Sequence, residues 1–529
     1  MNDNPPEPRI SNFGKWMALT AALLGWLFDG LEMGLFPLIQ KDALDELVGA
    51  DQRTLWMGIM TSFFLVGAAT GGVLFGWLGD RIGRVRSMML SVLTYALVSG
   101  LCGFAADFSV GDVTVPGAWQ IGFLRFIASL GMGGEWSLGV ALINELWPDR
   151  SRAFLAGLIG AAANVGYLLI GLVGGGIQQG IHQVRELMLQ LNLSENWVDH
   201  LISDQNRGWR LLMMLGAVPA LLTFFIRWFV PESAKWEKER DKGATSHWAT
   251  RDLTMVLVGA CAACGVIMLW AIDIPLAARI GGSIVGFGIV TWGYTFPVIS
   301  YLKRAQAALG TGGGEARAIR AGEPPLRSIA ATTVSWQPMV RRMLLAATLS
   351  GVALLGTWGT IQQAPAWSLT LRDTVPTANA QTQVLAAIGA IIGTIAAALI
   401  GGWAGRRITY FFLCLGSFAI IQIFYKTSDS FDTKFLVLAF LTGAITASFY
   451  GWLPLYLPEL FPTAIRATGQ GFGYNFGRIL AAIGVLQLNT LKEQFGGLPQ
   501  ACAALSFIYV VGVIVIWFVP ETKGKPLPD

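Results

Sequence analysis

The chain has 529 residues, of which 54% are hydrophobic and 13% charged, with a mean hydropathy of +0.56 and a formal net charge of +4. An average soluble domain carries roughly 25% charged residues, so this composition excludes a soluble globular protein and indicates an integral membrane protein. The excess positive charge is gathered in short loops, which orients membrane helices and implies no nucleic-acid partner.

Apolar runs of about 20 residues, the length that crosses a hydrocarbon core, recur along the whole chain, and alternating ten-residue barrel strands do not, so the fold class is all-α. The predicted spans are 16–40, 54–79, 87–107, 117–145, 152–178 and 209–230, then 253–271 and 277–301, then 343–371, 382–403, 408–426, 434–457, 466–489 and 500–519, fourteen in all. The first run lacks a short apolar core followed by a small-residue cleavage site and is long enough to span, so it is expected to stay in the protein. Loops after even-numbered spans hold Arg81, Arg84 and Arg86, then Arg150, then Lys235, Lys238, Arg240 and Lys242, then Lys303, Arg304, Arg341 and Arg342, then Arg406 and Arg407. The positive-inside rule makes those loops and both termini cytoplasmic, and places 41–53 and 179–208 outside, in a cell (inner) membrane.

The halves repeat one another. ELWPDRSRA at 145–153 returns as ELFPTAIRA at 459–467, GWLGDR at 76–81 returns degraded as GWAGRR at 402–407, and FVPES at 229–233 returns as FVPET at 518–522. Parallel six-helix repeats suit an alternating-access transporter. The division expected is an N-terminal six-helix bundle over 1–234, a loop and inserted two-helix hairpin over 235–304, a Gly- and charge-rich cytoplasmic linker over 305–342, and a C-terminal six-helix bundle over 343–529.

GWLGDRIGRVR at 76–86 resembles the loop signature of the major facilitator superfamily, departing from it mainly by Val85 before the last base. The resemblance implies that Gly76 and Gly83 allow tight turns and close approach, while Asp80, Arg81 and Arg84 form gating ion pairs; alternatively the bases only set orientation. Glu145 with Arg152, and Glu459 with Arg466, resemble the superfamily's second charge relay. RFIASLGMGGEWSLG at 125–139, the stretch 208–233 and the closing VPETKGKPL are similar to the sugar porters and the related metabolite:proton, aromatic-acid:proton and sialic-acid symporters. QQAPAW at 362–367 carries only half of the sugar-porter Gln-Gln motif.

A carboxylate at the centre of a membrane helix costs roughly 2.5–3.5 kcal/mol, so intramembrane charges need partners or roles. Asp29 and Glu32 share a face of the first span, and Glu32 and Arg125 fall at similar depth, so the two can pair across the bundle. The resemblance gives Glu32 and Arg125 the places of the proton-coupling acid and its arginine; the other reading is a permanent buried ion pair. Asp29 either faces the second half or stabilises a helix break at Gly30. Glu135 is either a second proton carrier or bonded to backbone in the Gly-rich GMGG segment. Arg478, with Asn475 one turn earlier, has no acid in its own helix, which points to an anionic substrate or to an acid on another helix. Trp358, Gln362 and Gln363, with Tyr450 and Trp452, form a binding wall or pack against lipid.

The histidines, His182, His200 and His247, lie in loops, and Cys261 and Cys264 have metal-like spacing but no second pair and no His. No catalytic, metal or cofactor site is expected. The reading is a monomeric secondary transporter whose partners are a small carboxylate-bearing metabolite, protons and the lipid bilayer, with a neutral sugar as the competing substrate and a non-transporting membrane sensor as the alternative of another class.

Overall fold

Apolar runs that must satisfy every backbone N–H and C=O without water fold as helices, and the computed structural model, which describes residues 11–49, 51–110, 113–147, 151–203, 208–310, 335–375 and 377–528, is built almost wholly of them. The first half comprises α1 (Asn12–Leu47), α2 (Arg53–Ile82), α3 (Arg84–Leu101), α4 (Gly117–Leu146), α5 (Arg152–Gln179) and α6 (Trp209–Phe229). The inserted hairpin is α7 (Leu253–Ala271) and α8 (Leu276–Gly310). The second half comprises α9 (Trp336–Trp358), α10 (Ala378–Ala404), α11 (Arg406–Thr427), α12 (Thr433–Ala447), α13 (Arg466–Asn475, resuming at Gly477–Leu486) and α14 (Leu498–Phe518).

Among the described residues, 13 helices are long and apolar enough to cross a bilayer. The other predicted span, 466–489, is split, because α13 stops at Asn475 and restarts at Gly477. Several boundaries differ from the sequence reading. α1 runs on to Leu47, α9 starts at Trp336, and α8 continues to Gly310 into the predicted linker. The remainder of that linker, 311–334, lies outside the described residues, as do 148–150, Arg150 included. The stretch 179–208 holds two short helices, Ile181–Gln190 and Glu195–Leu201, and a small antiparallel pair, β1 (Phe108–Val110) and β2 (Val113–Val115), sits beside the start of α4. α1 passes Gly30 without a break: a Cβ there would stand 1.8 Å from the Ala163 carbonyl oxygen, so the glycine seats α1 against α5.

The repeat is visible in detail, but four residues away from where the letters align. Gly83 and Gly405 both end a helix with φ near +110° (111° and 110°), a backbone that favours glycine. The next residue, Arg84 or Arg406, then reaches back to the carbonyl of Gly79 (2.7 Å) or Gly401 (2.8 Å). Gly83 therefore corresponds to Gly405, and Asp80 corresponds to Gly402. Glu232 and Glu521 close the motif alike, accepting the backbone N–H of Arg84 (3.0 Å) and Arg406 (3.1 Å).

The hairpin lies across both halves. On α2, the Tyr294 hydroxyl meets Thr70 Oγ1 at 2.6 Å; on the second half, Gln487 donates to the Trp270 carbonyl at 2.9 Å and Phe476 packs on Phe287. Large apolar side chains left outward, such as Leu257, Ile284 and Phe412, make the lipid-facing surface.

Candidate functional site

Between the halves lies a cavity, walled by α1, α4 and α5 on one side and by α9, α10, α12 and α13 on the other. Aromatic side chains stand on both sides of it: Trp26, Trp136 and Tyr167 from the first half, Trp358, Tyr450 and Tyr474 from the second. Asn164, Gln362, Gln383, Thr357 and Thr446 add hydrogen-bonding groups, and Arg478 brings the cavity its guanidinium. α9 ends at Trp358 and the chain makes a 3₁₀ turn over Ile361–Gln363, which turns the Gln362 amide inward. There the Tyr167 hydroxyl donates to Gln362 Oε1 at 3.1 Å, tying α5 to the second half across the cavity.

Arg478 is buried, and its Nε and Nη1 meet no hydrogen-bond partner; its carbon Cζ lies 5.6 Å from the Tyr474 ring centroid. The indole Nε1 of Trp26, on the opposite wall, is also buried and unpartnered. Buried donors without acceptors are rare in folded proteins, and both residues border the cavity.

Behind Trp26 and Trp136 sit the acids. The carboxyl groups of Asp29 on α1 and Glu135 on α4 lie within hydrogen-bonding reach of one another, and the Tyr95 hydroxyl of α3 faces Glu135. Neither Glu135 oxygen, nor Asp29 Oδ1, meets a donor, so the backbone-bonded alternative for Glu135 is not what the structure adopts. Asp29 looks toward the second half, where Arg478 is the cation acting on it. Glu32 and Arg125 form a separate buried ion pair of 3.3 Å, with the guanidinium stacked between Phe36 (4.1 Å) and Phe64 (4.7 Å).

Of the predicted wall residues, Trp358, Gln362, Tyr450 and Arg478 border the cavity, while Gln363, Trp452 and Asn475 stand apart from it. Gln363 donates to the Trp358 carbonyl and braces the turn, at 3.1 Å. Trp452 packs on Tyr410 and donates to the Arg406 carbonyl at 3.0 Å, beside the Gly405 turn of the second repeat. Asn475 donates to the Gly133 carbonyl at 3.0 Å and so ties α13 to α4. Sequence reading passed over Trp26, Trp136, Tyr167, Tyr474, Asn164 and Gln383; the last two, amides inside apolar runs, carried the signal that polar groups in membrane helices tend to serve function.

Toward the end that carries the Gly-Asp-Arg motif, the cavity is floored by Trp136 and Tyr474, stacked 3.7 Å apart at 3°. Below that stack lies an ionic network joining the halves. Asp80 accepts from Arg84 (2.7 Å) and from the backbone N–H groups of Ala467 (3.2 Å) and Thr468 (2.8 Å). Glu145 accepts from Arg84 (3.1 Å) and Arg466 (2.8 Å), and Glu459 accepts from Arg152 (2.9 Å) and Arg406 (2.7 Å). Arg81 is turned away, bonding Thr250 Oγ1 at the start of the hairpin (2.6 Å), and a Cβ at Gly76 would stand 2.6 Å from the Ala467 oxygen. The structure is therefore closed at this end.

A sequence model described as sugar (and other) transporter matches residues 17–255 and 303–529, leaving 256–302, most of the hairpin, unmatched. The chain is 25% identical over 530 residues, 99% of each chain, to the cis,cis-muconate transport protein of Acinetobacter baylyi. It is 24% identical over 516 residues to the probable 4-methylmuconolactone transporter of Cupriavidus pinatubonensis, covering 95% of this chain and 90% of that one. In fold it is similar to the proton:xylose symporter XylE bound to 6-bromo-6-deoxy-D-glucose, with a TM-score of 0.63, 19% identity and coverage of 97% and 98%.

Proposed function

The chain belongs to the sugar (and other) transporter family of the major facilitator superfamily, a family of multi-pass membrane transporters, and on that premise we propose that it carries a small carboxylate-bearing organic metabolite by proton-coupled symport. The observation that carries this reading is the Arg478 guanidinium, buried at the cavity wall with Nε and Nη1 unpartnered. A planar fork of donors matches the two oxygens of a carboxylate, and in a water-poor cavity that pairing is strong. A neutral sugar brings no negative charge to meet the guanidinium. The aromatic wall suits a flat or conjugated carbon skeleton, and the amides of Asn164, Gln362 and Gln383 suit its further oxygens. Two relatives named for muconate and methylmuconolactone transport agree in substrate class.

Transport follows from rocking of the halves about the cavity. With the Asp80, Glu145 and Glu459 network on the cytoplasmic side, as the loop charges propose, the structure corresponds to a state closed toward the cytoplasm. Proton coupling falls to the buried acids behind the cavity, Asp29, Glu32 and Glu135.

The test is a comparison in detergent of the parent and Arg478→Ala, each titrated with cis,cis-muconate and with its uncharged diamide, alongside uptake by proteoliposomes of a panel of acids and sugars with and without a pH gradient. Removing one partner of a buried charged hydrogen-bonded pair costs about 2–5 kcal/mol, so affinity for the acid should fall on the order of 30-fold or more and that for the diamide far less. Equal losses for both, or uptake of a neutral sugar alone, would replace the carboxylate reading with the sugar one.

A further inference from the structure

Resting on the carboxylate reading above, we propose that Asp29 and Glu135 form a proton-sharing carboxyl pair that competes with the substrate's carboxylate for Arg478, so that filling the cavity draws a second proton onto the pair.

An ionised carboxylate only accepts hydrogen bonds. Asp29 and Glu135 face each other from α1 and α4, and the Glu135 oxygens and Asp29 Oδ1 lack any other donor. Two like charges in contact in a buried site cannot both persist; one proton between them removes a charge and turns the contact into an O–H···O bond. Packing holds them there, because Glu135 fills the space over Gly25, where a Cβ would stand 1.5 Å from Oε1. The groups that face the pair are Tyr95 from α3, Glu32 one turn along α1, and Arg478 and Tyr474 from α13. Glu32 is engaged by Arg125, which leaves Arg478 as the cation available to the pair.

The charges then balance in the empty cavity: Glu32 cancels Arg125, and Arg478 cancels the one negative charge of the singly protonated pair. A carboxylate arriving at Arg478 takes that countercharge away. The pair is left negative in apolar surroundings, an expensive state, and it binds a proton from the aqueous side to which the cavity is open. When the substrate leaves on the other side, Arg478 returns to the pair and the same proton is released there. One proton accompanies one monocarboxylate, through competition for a single guanidinium.

Removal of Arg478's charge should imitate substrate arrival, so the pair can be tested with no substrate present. Infrared difference spectra of the purified full-length protein count protonated buried carboxyls at neutral pH. The parent should show one. Arg478→Gln should raise the count to two, and Arg478→Lys, which keeps the charge, should leave it at one. Asp29→Asn, which offers Glu135 an amide donor of the same shape and therefore folds where a truncation would not, should lower the count to none. An unchanged count in Arg478→Gln, or a protonated carboxyl persisting in Asp29→Asn, overturns the proposal. Because no ligand is used, these outcomes are independent of the acid-against-diamide titration, which alone decides the substrate class.

Discussion

The carboxylate of Asp80 accepts the backbone N–H of Thr468 at 2.8 Å, so the acid of one half caps the first turn of a helix belonging to the other. Helix N-termini leave N–H groups unsatisfied, and a carboxylate near one is worth about 0.3–2 kcal/mol. That bond exists only while this end of the molecule is closed. Asp80→Asn keeps an acceptor and loses the charge, so the closed state should lose up to about tenfold in population, 1.4 kcal/mol being a factor of ten. Spin labels at the exposed positions 86 and 341 should then show a larger share of long distances. Identical distance distributions in parent and variant would mean that Asp80 does not hold the gate.

The hairpin is tied to α2 by the bond between Tyr294 and Thr70, in which Thr70 also donates to the Val66 carbonyl at 2.9 Å. Tyr294 is therefore the donor to Thr70, and Tyr294→Phe removes it while leaving Thr70 satisfied. The expected cost is about 0.5–1.5 kcal/mol, seen as a modest fall in the thermal midpoint. A large loss would mean that the hairpin is integral to the stability of the halves.

Gly30 and Gly265 look alike in sequence, each a glycine in an apolar helix. At Gly30 a Cβ would meet the Ala163 backbone at 1.8 Å, whereas at Gly265 it would meet nothing within 4 Å. Gly30→Ala should therefore force α1 from α5 and abolish a monodisperse protein in detergent. Gly265→Ala should be neutral or stabilise by about 0.5–1 kcal/mol through helix propensity. Fluorescence-detected gel filtration with heating separates the two, and equal behaviour would contradict the packing described.

The fold was largely legible because water is absent from its solvent: run length and loop bases are enough to give helices and their alternation. Arg478, Gln362, Trp358 and Tyr450 stood out as costly or polar groups within apolar spans. Trp26, Trp136 and Tyr474 did not, since Trp228 and Trp403 are equally aromatic and are exposed toward lipid, 72% and 79%. A helix that is apolar on every side has no sequence period to say which face is inward. The repeat register was misjudged for a related reason. The second copy has lost its acid, so the letters align on Gly-Trp, while the physical anchor is the positive-φ glycine before Arg84 and before Arg406. Likewise Asn475 sits on the face of Arg478 in sequence, but its amide is taken by the Gly133 carbonyl.

Glu32 and Arg125 make an ion pair buried in the membrane-spanning part away from the gate, and its surroundings decide what breaking it does. Arg125 has the rings of Phe36 and Phe64 on its flanks, and Glu32 is the carboxylate it pairs with. Glu32→Gln strands a cation among aromatics and should destabilise by about 3–5 kcal/mol, because an uncompensated buried charge costs more than the pair contributed. Replacing both partners with apolar residues of similar volume, Glu32→Leu with Arg125→Met, removes two desolvated charges together and should recover most of that loss. The measurement is a double-mutant cycle on thermal and denaturant stability in detergent micelles. Recovery in the double variant would identify the pair as a mutual charge compensation within α1 and α4. A double variant as unstable as Glu32→Gln would instead mean that one of the two has a further partner, and the charge count on which the Asp29 and Glu135 pair rests would have to include it.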